Sequence, residues 1–274
     1  GTMKLRSSVM NEDMISSAEL SRAACCNLGE SFVTNPSVDV SYSDAATGAK
    51  QIKLLGLSGT YVQMLTENIP NYRGAASPYG LGYVPGPWMQ SIQVSKGTSS
   101  VKNGYEAITG QINVEFKKPQ LPEADWVSAN LFASTTNRYE ANADATLKIS
   151  KRWSTSLLAH YENETKAHDG NDDGFVDIPQ VEQYNVWNRW AYMGDHYVFQ
   201  AGIKALSETR TSGQVNHGGA IHSGDLYKVG IDTERYEFFT KNAYIFNKEK
   251  NTNLALILST TLHNQDATYG RKLY

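Results

Sequence analysis

Between residues 139 and 149 apolar and polar side chains alternate without a break. Tyr139, Ala141, Ala143, Ala145, Leu147 and Ile149 make one face, and Glu140, Asn142, Asp144, Thr146 and Lys148 make the other. Period two sustained this long commits the stretch to an extended strand, because a helix would scatter the same residues around its axis. The pattern recurs at 127–133, 153–161, 197–205 and 254–262. Stretches 184–193 and 236–246 are rougher, with aromatic or apolar side chains on both faces. Seven long strands are predicted.

Their connections also alternate. Asn137-Arg138, Lys151-Arg152 and Gly194-Asp195 are tight, 164–181 and 209–227 are long, and 247–251 is again a turn. Barrels of the outer membrane join strands of about 9–11 residues or more by short turns on one side and longer loops on the other. With the first strand rising from the inner side, both long loops fall outside. A β-sandwich alternates equally well, but its apolar face points inward, whereas a membrane barrel turns that face to lipid. Periodicity does not set the direction, so a soluble β-rich binding or adhesion module stays open beside the barrel.

Composition narrows the classes. The 274 residues, 40% of them hydrophobic, suffice for one large or two moderate cores. A formal charge of -3 gives no electrostatic footprint for nucleic acid. Sixteen tyrosines and five tryptophans suit surfaces where an apolar phase meets a wet one. There is no run of 18 apolar residues, which excludes a transmembrane helix and leaves a barrel. The start, Gly1-Thr2-Met3, has no export signal and is expected to be a remnant of expression, so export would be encoded upstream or its signal already removed.

Before the long strands the text differs. Residues 11–33 read as two short helices or one interrupted helix, with Met14, Ala18, Leu20, Ala24 and Leu28 roughly on one side and Ser16 or Ser17 near its start. Short strands are predicted at 37–41, 50–55, 61–66, 91–95 and 110–116. Residues 68–88, with Pro70, Pro78, Pro85 and Pro87 and several glycines, favour fixed turns. Adjacent Cys25 and Cys26 are most simply small buried residues, a two-thiol metal clamp being the alternative.

Two passages carry a family resemblance. Ile52-Lys53-Leu54-Leu55-Gly56-Leu57 is followed by Tyr61-Val62-Gln63-Met64-Leu65-Thr66-Glu67-Asn68-Ile69-Pro70. Later come Ile92-Gln93-Val94-Ser95-Lys96-Gly97, Asn103-Gly104-Tyr105 and Gly110-Gln111-Ile112-Asn113-Val114. In order and spacing these resemble the plug domain of TonB-dependent outer-membrane receptors, where an Ile-Arg-Gly strand precedes an Asp-Gly-Val-Pro turn and a Gly-x-Ile-Asn-Val strand closes the domain. The wording is similar to Bacteroides-type receptors.

The resemblance implies an α+β plug domain at 11–119 followed by antiparallel transmembrane β-barrel strands at 125–274. It implies active uptake of a scarce substrate such as cobalamin, a ferric siderophore, haem or another metal chelate. The partners would be outer-membrane lipid and a TonB-type energy-coupling complex. The coupling box expected before the plug is not recognisable in 4–12, and the family closes 22 strands around its plug. The chain is therefore expected to be the front part of a longer receptor.

Within the plug, Tyr72, Arg73, Tyr79, Tyr83 and Trp88 are candidates for an outward apex that meets substrate with aromatic surface and one cation, packing being the alternative. His217 and His222, five apart in the second long loop, are candidate contacts to a metal chelate. His160 suits a lumen hydrogen bond better than catalysis. The first long loop holds Asp169-Gly170-Asn171-Asp172-Asp173-Gly174-Phe175-Val176-Asp177, which matches the opening of an EF-hand loop. Asp169, Asn171, Asp173, the Phe175 carbonyl and Asp177 would ligate Ca2+, with Glu182 or Glu164 replacing the carboxylate absent at Gln180, a solvated acidic turn being the alternative. Some cobalamin receptors of the resembling family order an early outer loop with calcium. No nucleophile elbow, phosphate-binding Gly-rich loop or His-Glu-x-x-His helix occurs, so no enzyme is expected.

Overall fold

The computed structural model describes residues 3–4, 11–23, 26–32, 35–54, 56–57, 59–98, 106–119, 126–215, 226–247, 250 and 252–274, the backbone alone at 3–4, 11–12, 21–23 and 60. They form two compact units, Gly1–Lys117 and Lys118–Tyr274.

The first unit holds strands β1 (Met3–Lys4) and β2 (Asn11–Ser16), helix α1 (Ser17–Ala23), and strands β3 (Val38–Asp44), β4 (Ala49–Leu54), β5 (Val62–Thr66), β6 (Ile69–Pro70), β7 (Met89–Lys96) and β8 (Gly110–Phe116). Six of these strands make one sheet in the order β1-β2-β7-β8-β5-β6, and β3-β4 is a separate hairpin. The expected helix is shorter than its pattern, because 11–16 pairs with β7 as a strand and only 17–23 is helical. That pairing is tied by a buried ion pair, Lys96 Nζ to Asp13 Oδ2 at 2.6 Å.

Ile15, Leu28, Leu54, Leu65, Ile92, Val94, Ile112, Val114 and Phe116 are buried and make the core. The Gly110 of the family-like passage has a physical cause: a Cβ there would collide with the Ser95 carbonyl and Leu54. Glu67 and Asn68, with φ of 51° and 64°, make the two-residue turn between β5 and β6, where the family writes Asp-Gly. Asn113 Oδ1 accepts the Asn68 N–H at 2.8 Å and fixes that turn. Cys26 is buried, and Cys25 lies outside the described residues.

The second unit is one antiparallel sheet: β9 (Trp126–Ala133), β10 (Arg138–Lys148), β11 (Trp153–Glu164), β12 (Gln180–Met193), β13 (Tyr197–Gly213), β14 (Lys228–Asn247), β15 (Thr252–Tyr269) and the short β16 (Lys272–Leu273). Each strand pairs with its neighbours in sequence, so the seven long strands form a meander. Among the described residues the sheet is open, with β9 at one edge and β16 at the other. No described helix is long and apolar enough to cross a membrane.

Its polarity is inverted. Glu140, Asn142, Asp144, Ser154, Ser156, His160, Gln183, Asn185, Arg189 and Lys204 are buried, while Leu131 is 81% exposed and Leu157, Val186, Ile203, Leu254 and Leu262 also stand open. Aromatic rows bound this open apolar face. Trp153, Tyr192 and Phe199 lie abreast on three strands, with Trp153 5.1 Å from Tyr192 and 6.1 Å from Phe199. Eight residues further along β11, Tyr161 stands opposite Tyr184 at 4.9 Å. At about 3.3 Å per residue the rows are roughly 26 Å apart along the strand.

Beyond the second row the same face turns polar, with Asn163, Glu182, Thr209, Asp232 and Asp266 abreast. Inside the band, the outward amide of Asn188 is satisfied. Asn188 Oδ1 accepts the Trp190 Nε1–H at 2.6 Å, and its Nδ2 donates to the Ser156 carbonyl at 3.2 Å.

Candidate functional site

In the first unit the turn-rich passage folds into short 3-10 segments at Gly74–Ala76 and Gly86–Trp88. It does not present an aromatic apex. Tyr72, Tyr79, Tyr83 and Trp88 are all buried, Trp88 and Tyr83 completely. Tyr72 packs 6.3 Å from Tyr83 and sits so close over Gly80 that a Cβ there would lie 2.7 Å from its own. Proline and glycine turns here bury rings instead of displaying them, because large rings offer the apolar area that a short, strand-poor segment otherwise lacks.

Arg73 alone of the five is exposed, in an ion pair from Nε to Glu106 Oε2 at 2.7 Å. The structure places Arg73 and Tyr72 on one cavity of about 560 Å3 within this unit, with Lys50, Gln51, Met64 and Glu106. Glu106 and Lys50 escaped the sequence reading, since only folding brings β4 and residue 106 beside the turn at 71–74. The cavity has a size that suits a small ligand and offers a cation already balanced by a carboxylate. An anionic ligand there competes with Glu106 for Arg73.

In the second unit the first long loop is docked by backbone bonds. The Val176 N–H donates to Gly213 O at 2.9 Å and the Val215 N–H to Gly174 O at 2.9 Å, and His168 Nε2 lies 2.6 Å from Thr136 O. The acidic residues hold the loop's own amides. Asp169 Oδ2 accepts the Gly174 N–H at 2.7 Å, Asn171 Oδ1 the Asp173 N–H at 3.2 Å, Asp173 Oδ1 the Phe175 N–H at 2.9 Å and Asp177 Oδ2 the Gly170 N–H at 2.6 Å. Gly174, with φ of 83°, supplies the turn.

Among the described residues no three His, Cys, Asp or Glu side chains converge as a metal set. Of the two auxiliary carboxylates, Glu182 faces outward and accepts the Tyr184 hydroxyl at 2.9 Å, and Glu164 is buried at the end of β11. His217 and His222 lie outside the described residues.

A further polar array was invisible to periodicity because it depends on strand register. Glu140, Glu162, Gln183 and Glu208 stand abreast on β10 to β13. Like charges directly opposite destabilise a sheet unless they are bridged. Arg138 reaches Glu140 at 2.6 Å and Glu162 at 2.9 Å, while Glu208 is held by Gln183 at 2.7 Å and Arg210 at 2.9 Å. One row below, His160 Nδ1 pairs with Asn142 Oδ1 at 2.8 Å. Further along the same face the Arg189 guanidinium lies 4.5 Å from the Trp187 ring, and Gly202 leaves room for the Trp187–Phe239 contact.

The chain thus combines an α+β unit with an apolar core and a meander whose buried face is largely polar and whose open face is apolar. Residues 4–111 match the family model for the TonB-dependent Receptor Plug Domain. No curated protein matches the chain in sequence. In fold it is similar to the alcaligin outer membrane receptor FauA from Bordetella pertussis, with TM-score 0.75 and 12% identity over 97% of this chain and 42% of that one. It is also similar to the ferric-catecholate import receptor Fiu from E. coli K12, at TM-score 0.73 and 17% identity over 96% and 40%. A third likeness is the siderophore receptor PiuA from Acinetobacter baumannii, at TM-score 0.70 and 13% identity over 95% and 37%. The chain thus spans about two-fifths of the length of these receptors. Its first unit matches the plug-domain model over nearly all its length, and both units have a fold similar to the front part of these receptors.

Proposed function

We propose that this chain supplies the plug and the early barrel wall of a Bacteroides-type outer-membrane receptor for TonB-dependent uptake of a metal chelate. Ferric siderophores lead, because two of the receptors of similar fold named above are a ferric-catecholate import receptor and a siderophore receptor, with cobalamin and haem in the same chemical range. The observation that carries the reading is the inverted polarity of the second unit beside a plug domain. For strands tilted about 40°, the 26 Å between aromatic rows is roughly 20 Å of membrane thickness, near the height of an outer-membrane apolar band. A soluble β-module would leave that face in water. In the working receptor the chelate would engage Arg73 in exchange for Glu106, and force from the energy-coupling complex would shift or partly unfold the plug.

Two measurements test this. The chain should partition into detergent or lipid, and cells expressing the complete reading frame should accumulate a labelled ferric chelate only while the coupling complex is energised. A monodisperse, detergent-free monomer, or uptake indifferent to that energy, would sink it.

We also propose that the first long loop binds Ca2+. The residues fit a hard cation in kind: oxygens recur at 169, 171, 173 and 177, and the loop's own hydrogen bonds, which engage both oxygens of Asp169 and of Asp173, already bend it around them, so that a cation would take over some of those acceptors. Calcium would neutralise the charge gathered there and stiffen the loop. Calorimetry should detect calcium uptake at millimolar metal or below, with Asp173→Ala abolishing it. Heat release that is the same with and without Asp173 rejects the site.

A further inference from the structure

An exposed charge pair marks the tight-turn end of the second unit. Arg152 Nη2 lies 2.9 Å from Asp195 Oδ2, joining the turn before β11 to the turn before β13, and the two side chains are 54% and 70% exposed. Arg152 Nη1 also donates to the Tyr192 hydroxyl at 3.5 Å. That contact puts the guanidinium on the open apolar face, at the row of Trp153, Tyr192 and Phe199.

The local backbone fixes this group. Ser150 Oγ accepts the Arg152 N–H at 3.3 Å and the Trp153 N–H at 3.1 Å, and Arg152 O accepts the Met193 N–H at 2.8 Å, which ties the end of β12 to the turn. Gly194 matters by what it lacks: a Cβ there would lie 2.8 Å from the Tyr192 ring and 3.0 Å from its hydroxyl, so a larger residue would displace the ring that meets Arg152. Bonding capacity is left over. The Tyr192 hydroxyl accepts from Arg152 and keeps its own hydrogen to donate, the guanidinium has N–H groups beyond the two it spends, and Asp195 Oδ1 has no partner among the described residues.

Resting on the membrane reading above, which sets this row at the boundary of lipid and water, we propose that the pair binds the headgroup of a phosphatidylethanolamine lipid. The phosphate would accept from Arg152 and the Tyr192 hydroxyl, and the primary ammonium, two carbons along, would donate to Asp195. The headgroup then lies antiparallel to the ion pair, each charge against its opposite. Arginine suits the phosphate because its planar fork gives charge-assisted bonds in parallel. Trp153, its ring 5.1 Å from that of Tyr192, would rest against the glycerol and upper acyl region, the depth at which Trp and Tyr are enriched.

The arrangement discriminates. Phosphatidylcholine has the same phosphate, but its quaternary nitrogen carries no hydrogen for Asp195. Phosphatidylglycerol brings no cation at all, and Asp195 meets it as a like charge. Lys151, exposed next to Arg152, attracts any of these phosphates and does not tell them apart.

The test uses the full chain in detergent, offered equal amounts of the three lipids with identical acyl chains, and native mass spectrometry measures the lipid retained. Phosphatidylethanolamine should be retained at least threefold over phosphatidylcholine, and Asp195→Ala should remove that preference. Arg152→Gln and Tyr192→Phe should each lower its retention several-fold, whereas Lys250→Gln, at the next tight turn, should leave it unchanged. Soluble phosphoethanolamine at the same concentration should not displace the lipid, because acyl chains on the apolar face supply much of the affinity.

Equal retention of phosphatidylethanolamine and phosphatidylcholine, a preference that survives Asp195→Ala, retention indifferent to Arg152→Gln, or displacement by the soluble headgroup overturns the proposal. So does an equal loss in Lys250→Gln, or phosphatidylglycerol retained more than threefold over phosphatidylethanolamine, since either would make this end a plain basic rim. Arg152 and Asp195 are exposed, so these variants keep the fold, and since one lipid replaces another the effect is read in lipid selectivity and not in the unfolding midpoint. A chain that needs detergent but shows no headgroup preference sinks this site and leaves the uptake reading standing, whereas a detergent-free monomer removes both.

Discussion

In the first unit the residues withdrawn from solvent include Ile92, Val94, Ile112 and Val114, and in the second many are polar, among them Asn142, His160, Asn185 and Arg189. Both units use paired strands, and both set buried against less buried side chains within a strand. On the proposed reading they differ in what the uncovered face must meet. In water, burying apolar area stabilises by about 25 cal/mol per Å2, so Ile92 and Phe116 go inside. Where the outside is hydrocarbon that gain vanishes, and the polar side chains gather where they can bond one another. Arg138 spanning two glutamates and Gln183 holding Glu208 are the outcome.

The comparison can be broken by substitution. The largest effect is expected in the first unit, where Trp88 is wholly buried. Trp88→Ala should cost about 3–5 kcal/mol wherever it is measured, in detergent or in lipid, by denaturant midpoint. Next is Ile203→Arg in the middle of the open apolar face of the second unit. It should cost about 2–4 kcal/mol in a bilayer and much less in soft detergent, read from the folded fraction after reconstitution. An equal cost in both media would mean that the face is not lipid-facing.

The smallest effect is expected at the Arg152–Asp195 pair, 2.9 Å apart at the tight-turn end with both side chains exposed. Exposed ion pairs contribute little. Arg152→Ala should leave the unfolding midpoint unchanged within error in either medium, and a resolvable loss would show that this end is shielded from water.

Much of the second unit could be read in advance. Alternation at 139–149 and its repeats predicted the seven long strands and the sides on which the tight and long connections fall, because the two-residue period is a local property of the backbone. The ends were harder: β14 extends over Lys228–Asn247, well before the aromatic stretch at 236, since Asp232 and Glu234 are polar on the outward face above the apolar band. In the first unit, residues 11–16 read as helix and fold as β2, because pairing with β7 outweighed a weak helical pattern. Tyr79, Tyr83 and Trp88 read as apex residues and fold inside, since turn chemistry fixes where the chain bends and not which way its rings point. The cavity around Arg73 draws on residues 43–106, a span that no local pattern can assemble.

By itself the sequence determined the strand periods, the plug-like passages with their required glycine at 110, and the acidic loop at 169–177, all of which are local in the chain. Tertiary structure alone decided that the polar face of the long strands is buried and the apolar one open, that four acidic and amide side chains stand abreast, and that Arg73 meets Glu106. These are matters of register and solvent direction, and an alternating pattern is the same whichever phase it faces.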